Sequence, residues 1–136
     1  MGAPGGGKGY AGITKSVAIE FDTYENYSEL DDPNGNHISV HSRGALANSA
    51  HHRFSLSCSG KMPSQMNDGA EHSVSISYHA EEAKLCVSLD NQIVLACKVN
   101  LFERIGGDAF LGFTAGTGGL TQTHRLLSWS LFRPHS

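Results

Sequence analysis

Hydrophobic and polar positions alternate with a period of two along most of this chain. Val17, Ile19 and Phe21 alternate with Ala18, Glu20 and Asp22, and Val74, Ile76 and Tyr78 with Ser73, Ser75 and Ser77. Leu85, Val87 and Leu89 repeat the pattern, and "LLSWSLF" (Leu126 to Phe132) closes the chain in the same style. Alternation of this kind predicts half-buried strands, one face toward a core. The interruptions are rich in turn formers: "DPNGN", "NSAHH", "SGKMPSQMNDGA", "DNQ" and "GTGGLTQT". No helix of useful length is predicted, and short strands with such punctuation read as an all-β sandwich.

One segment also predicts its own register. "KLCVSLDNQIVLACKV" (Lys84 to Val99) reads as a hairpin. A two-residue turn at Asn91-Gln92 would set Cys86 opposite Cys97 and put Leu85, Val87 and Leu89 on the face of Lys98. A three-residue loop, Asp90 to Gln92, instead aligns those three residues with Ile93, Leu95 and Cys97 on one apolar face. The hydrophobic pattern selects the second register, which leaves Cys86 and Cys97 on opposite faces and unbonded. By the same logic Trp129, within an alternating run, is expected in the core.

Composition narrows the function. The 136 residues suit a single domain with a real core. A net charge of −3 and a pI near 6.2 give no basic footprint for nucleic acid. No apolar run approaches the ~18 residues of a membrane span, so no membrane insertion is expected. The opening "MGAPGGGKGY" has neither a charged-then-apolar leader pattern nor the Ser or Thr of a myristoylation signal at its sixth position. Three cysteines without C-x-x-C spacing make no disulfide framework and leave the redox compartment open.

The chemistry concentrates between Ser16 and Val40. Glu20 and Asp22 share one face of a strand, opposite Val17, Ile19 and Phe21. Carboxylates carried into a folded interior need a cation, yet no Lys or Arg lies between Ser16 and Arg43. The following loop adds Asn26, Asp31 and Asp32, then an Asn34-Gly35 turn and His37. Asp and Asn oxygens suit Ca²⁺, whereas carboxylates with an imidazole suit a transition ion such as Mn²⁺. Asp22 and Asp32 could bridge two such ions. The competing reading is a solvated acidic loop. An EF-hand is excluded, because "DPNGNHISVHSR" has His37 where the loop requires Gly and Arg43 where it requires Glu.

"SVAIEFDTYEN…DPNGNHISV" resembles the metal-binding signature of the legume-type (L-type) lectins, the family of concanavalin A. "DGAEHSVSISYHAEEAKLCVSLDN" (Asp68 to Asn91) is similar to the family's central strand pair, and "FLGFTAGTGGLTQTHRLLSWSL" (Phe110 to Leu131) to its last loop and strand. The resemblance implies a concanavalin A-like jelly-roll β-sandwich, with residues 1–136 forming a single lectin-like domain that matches the later part of the family domain and is N-terminally incomplete. It implies Ca²⁺ and Mn²⁺, or another transition divalent ion, as cofactors. Glu20, Asp22, Asp32 and His37 match the transition-metal ligands. Asp22, the Tyr24 carbonyl, the Asn26 side chain and Asp32 match the Ca²⁺ ligands. Sugar contacts are implied for Asn26, for the Tyr24 ring, and at the rim for Gly6, Gly7, Gly118, Gly119 and Leu120. The implied partners are glycans or glycoproteins, and the family suggests an extracellular or secretory location.

Two features depart from the family pattern. Residues 1–19 hold no acid, so the Asp that accepts bonds from sugar hydroxyls has no match. Asn26-Tyr27-Ser28 is also an N-glycosylation sequon, and a glycan on Asn26 would occupy the implied Ca²⁺ site. The departures leave a second reading, a metal-stabilised structural or interaction module that has lost sugar binding. They also imply exposed strand edges, Leu126 to Phe132 foremost, through which copies would associate. An enzyme is a third reading, since "EFDTYE" fits the E-x-D-x-x-E pattern of β-glucanases. Glu20 and Glu25 are an odd number apart, however, so a regular strand points them to opposite faces. That chemistry also leaves Asn26, Asp32 and His37 without a role. His51 and His52 are adjacent, and on a strand their rings would diverge.

Overall fold

The computed structural model describes residues 8–133. Among the described residues, six strands form two antiparallel three-stranded sheets. In the first, β1 (Ala18–Asp22) pairs with β2 (His37–His41), and β2 pairs with β3 (Ser55–Cys58). In the second, β5 (Lys84–Leu89) lies between β4 (Val74–His79) and β6 (Gln92–Lys98). Two short helices, α1 (Tyr27–Leu30) and α2 (Leu101–Ile105), sit in connections. The α2 turn is capped by Asn100, whose side chain accepts from the Glu103 amide, and it ends at Gly106 with φ 94°.

The sheets face each other across one apolar cluster. Ile38 and Val40 of β2 meet Leu85, Val87, Leu95, Cys97 and Val99, with Val17, Ile19, Leu56 and Leu101 packed around them. Two sheets closed on a shared core make a β-sandwich, the fold class that the alternation predicts. All five residues of β2 are buried, so its other face, carrying His37, Ser39 and His41, is covered as well. Tyr10 and Ser49 meet His41 on that second face and His52 meets His37, and the site lies there.

Three expectations need correction. Phe21 belongs to the apolar face of β1 but is 40% exposed, because β1 is an edge strand. The acids on its other face, Glu20 and Asp22, are the buried residues. In the β5–β6 hairpin, Leu85 pairs with Cys97 and Val87 with Leu95, as the apolar pattern requires. Near the turn the register slips: Leu89 pairs with Gln92 across a two-residue turn at Asp90-Asn91, both at positive φ (50° and 65°). A bulge at Val94 absorbs the extra residue and turns Ile93 outward to 72% exposure. All three cysteines are free. Last, Leu126 to Phe132 joins neither sheet. Trp129 is 58% exposed, edge-on to Phe113 at 5.6 Å, and not in the core. Alternation states which side chains share a face; it does not supply the neighbouring strand that would cover them.

Candidate metal centre

The local backbone explains how the acids converge. Asp22 and His37 are directly opposed in the β1–β2 ladder, and Glu20 stands opposite Ser39 on the same face. After β1, Asp22 Oδ1 accepts the Tyr24 amide at 2.8 Å, turning the chain. Asn26 begins the single turn of α1, its carbonyl accepting from Leu30 N at 3.0 Å. Asp31, in the left-handed region at φ 60°, ends that turn, and its amide donates to the Tyr27 carbonyl. Asp32 is thereby pointed back under the loop, where its Oδ2 accepts the Asn26 amide at 2.8 Å. An Asn34 turn, in which Oδ1 accepts the Asn36 amide, returns the chain to β2.

The result is a buried quartet. Ligand atoms of Glu20, Asp22, Asp32 and His37 lie within 4.8 Å of one another, and all four residues are buried. His37 Nδ1–H donates to the Asn34 carbonyl at 2.8 Å, which fixes the ring and leaves Nε2 its lone pair. Nε2 is buried without a hydrogen-bond partner, 3.8 Å from Glu20 Oε1 and 3.9 Å from Asp22 Oδ2. A buried lone pair aimed among carboxylates costs free energy unless something electrophilic meets it. Three carboxylates and one oriented imidazole fit a divalent transition ion.

The cation that the sequence left unidentified comes from upstream. The Lys8 ammonium lies among the carboxylates, bonded to Asp22 Oδ2, 3.0 Å from Asp32 Oδ2 and 3.3 Å from Glu20 Oε1. Burial pulls the Lys8 pKa down, but the hydrogen bond to Asp22 and the charge of Glu20 outweigh it and hold the ammonium above the usual lysine range. Tyr10 is the second residue from this segment. Its hydroxyl donates to Glu20 Oε2 at 2.6 Å, and its ring packs 5.5 Å from His41. Burial raises the Glu20 pKa, although the Tyr10 bond and Lys8 oppose it. Burial lowers that of His41 to about 4. Its ring atoms are bonded within the fold, Nε2 with Ser39 Oγ at 2.9 Å and Nδ1 with the Ser49 carbonyl at 3.0 Å.

The remaining candidates distribute around this centre. Tyr24 is 47% exposed on the loop, and Asn26 is half-buried, its side chain making no capping bond to α1. Gly118, Gly119 and Leu120 are exposed, and Thr23 Oγ1 meets Gln122 Oε1 at 2.5 Å, which ties their segment to the Tyr24 loop. Gly6 and Gly7 lie outside the described residues. Glu25 is exposed and not a member of the quartet. His51 and His52 sit at a 3₁₀ turn, not on a strand. That turn sets the His52 ring edge-on to His37 at 6.0 Å, so His37, His52 and Cys58 form a second group of close donors. Sequence reasoning missed Lys8, Tyr10, His52 and Cys58. Lys8 had one available signal: with Lys15, it is one of two Lys or Arg residues before Arg43.

Comparison with known proteins bears on this geometry. The family model of the legume lectin domain matches residues 10–134. An L-type lectin-domain containing receptor kinase, VII.1 of Arabidopsis thaliana, is 32% identical over 124 residues, covering 82% of this chain and 17% of its own. A lectin of Leucomphalos mildbraedii is 33% identical over 118 residues, covering 84% of this chain and 44% of its own. Agglutinin-2 of Cladrastis kentukea is 27% identical over 125 residues, covering 87% and 39% respectively. The chain therefore spans less than half the length of these relatives.

Proposed function

The chain belongs to the legume lectin domain family, and on that premise we propose that it binds carbohydrate non-catalytically through a loop held by divalent cations. The observation that carries this reading is the buried quartet with its unsatisfied His37 Nε2, directly beneath the Tyr24–Asn26 loop. Glu20, Asp22, Asp32 and His37 would hold a transition ion such as Mn²⁺. Asp22, the Tyr24 carbonyl, the Asn26 side-chain oxygen and Asp32 would hold Ca²⁺. Bound there, the cations would supply fixed positive charge that neutralises the acids and stiffens the loop.

The chain's own groups then do the recognition. With its oxygen engaged, the Asn26 amide keeps its NH₂ directed outward, a donor for a sugar hydroxyl. The exposed Tyr24 ring offers an apolar plane to the C–H face of a pyranose. Leu120, on the segment tethered through Gln122, would form the rim. Glycans or glycoproteins are the proposed partners.

Metal titration with a thermal readout tests the reading. Ca²⁺ and Mn²⁺, each at ~100-fold over its Kd, should add about 2.7 kcal/mol of stability per occupied site. Asp22→Ala should abolish the gain, and His37→Ala should remove the Mn²⁺ part more than the Ca²⁺ part. A glycan array probed with and without Ca²⁺ then separates a lectin from a metal-stabilised module. Identical melting curves in both metals and in chelator would overturn the metal centre, and an array blank in both conditions would overturn sugar binding.

A further inference from the structure

Lys8 stands where a divalent ion would have to sit. Its ammonium is bonded to Asp22 Oδ2 and lies 3.0 Å from Asp32 Oδ2 and 3.3 Å from Glu20 Oε1, with 17% of its side chain exposed. Asp22 Oδ2 and Glu20 Oε1 are the same atoms that His37 Nε2 faces. One ammonium against three carboxylates leaves the pocket negative, and its three N–H donors go to Glu20, Asp22 and Asp32, which leaves none for the His37 lone pair. Lys8 therefore satisfies the quartet incompletely, and a divalent ion that also engages Nε2 would satisfy it better.

The backbone holds Lys8 in this position. Gly9 has φ 83°, and a Cβ there would come within 2.6 Å of Thr114 Oγ1, so only glycine fits between the site and the 114–116 segment. The segment runs on to Tyr10, buried and hydrogen-bonded to Glu20. Lys8 is thus delivered to the acids by a turn held at Gly9 against Thr114 and at Tyr10 by Glu20.

We propose that the Lys8 ammonium is the resident cation of the metal-free centre, and that a divalent ion binds only by displacing it, so that Lys8 sets the metal affinity of the site. The proposal rests on the reading of the quartet as a metal centre. Removing the ammonium acts twice in the same direction: nothing need be expelled, and three mutually repelling carboxylates await the ion.

The test compares the 136-residue wild type with Lys8→Met, which keeps the length of the side chain without its charge. Calorimetry with Mn²⁺ should give about 10-fold or tighter binding for Lys8→Met, the size expected for one lost charge-assisted contact. Its metal-free melting temperature should fall below that of the wild type. A second measurement needs no variant: the rate at which an amine-acylating reagent labels Lys8, read by mass spectrometry against exposed Lys61. Mn²⁺ should raise the labelling of Lys8 and leave Lys61 unchanged. Equal affinities with unchanged Lys8 labelling would overturn it and leave the metal centre standing. If neither protein binds Mn²⁺, this proposal and the metal centre both fall.

Discussion

Alternation alone put Glu20 and Asp22 on one face, whereas their grouping with Asp32 and His37 as one ligand set came from the resemblance to the lectin signature. Lys8 and Tyr10 were not legible, because they reach the site through the path of a Gly-rich segment that no periodicity describes. Gly9 carries that path. Gly9→Ala should destabilise the protein by about 1–2 kcal/mol from backbone strain alone, with added cost from the overlap with Thr114, measurable as a lower urea midpoint. His41 makes the second prediction at this scale. Its folded pKa, about 4, lies below the ordinary 6.5, so the unfolded chain takes up a proton that the folded chain refuses. Stability from this group is complete above pH 6.5 and is lost as pH falls toward 4, by about 1.4 kcal/mol per pH unit for one proton. Melting temperatures in chelator from pH 7.5 to 5 should show the decline in the wild type. His41→Gln should flatten it, and because Glu20 titrates in both proteins, their difference isolates His41. Parallel profiles would refute the assignment.

At the scale of elements, the β5–β6 hairpin separates what a pattern determines from what a turn determines. The apolar face fixed the pairing of Leu85 with Cys97 and Val87 with Leu95, because a one-residue slip would have put Lys98 on the core side. The loop did not follow from the same pattern: Asp90 and Asn91 tolerate positive φ, which favours a two-residue turn, and the bulge at Val94 reconciles the turn with the face. Ile93 therefore points to solvent, although composition alone would bury it. Leu95→Ala should cost about 2–5 kcal/mol and Ile93→Ala less than about 0.5 kcal/mol in urea unfolding. Similar costs for the two would mean that the bulge is misplaced. The register also keeps Cys86 opposite Ala96, away from Cys97. Mass spectrometry of the unreduced protein should find no bond between Cys86 and Cys97.

For the whole molecule, the two sheets and their shared core followed from alternation and turn chemistry, while the fate of the final apolar segment did not. From Phe110 onward the chain carries Phe110, Leu111, Phe113, Leu126, Leu127, Trp129, Leu131 and Phe132, each more than half exposed. Monomeric proteins rarely leave apolar surface of that extent in contact with water. An alternating run outside any sheet also offers unpaired amides and carbonyls to another strand. The site is coupled to this segment through a few contacts, chiefly Thr23 with Gln122 and Gly9 with Thr114, so association and metal binding should be separable. The 136-residue chain should self-associate with rising concentration in sedimentation velocity. Leu127→Lys combined with Leu131→Lys should shift it toward monomer and leave the metal-induced rise in melting temperature unchanged. A wild type that stays monomeric at high concentration would show that the segment is covered within its own chain. Loss of the metal response in the double variant would show that the final segment helps to build the centre, and the separation argued from those few contacts would then fail.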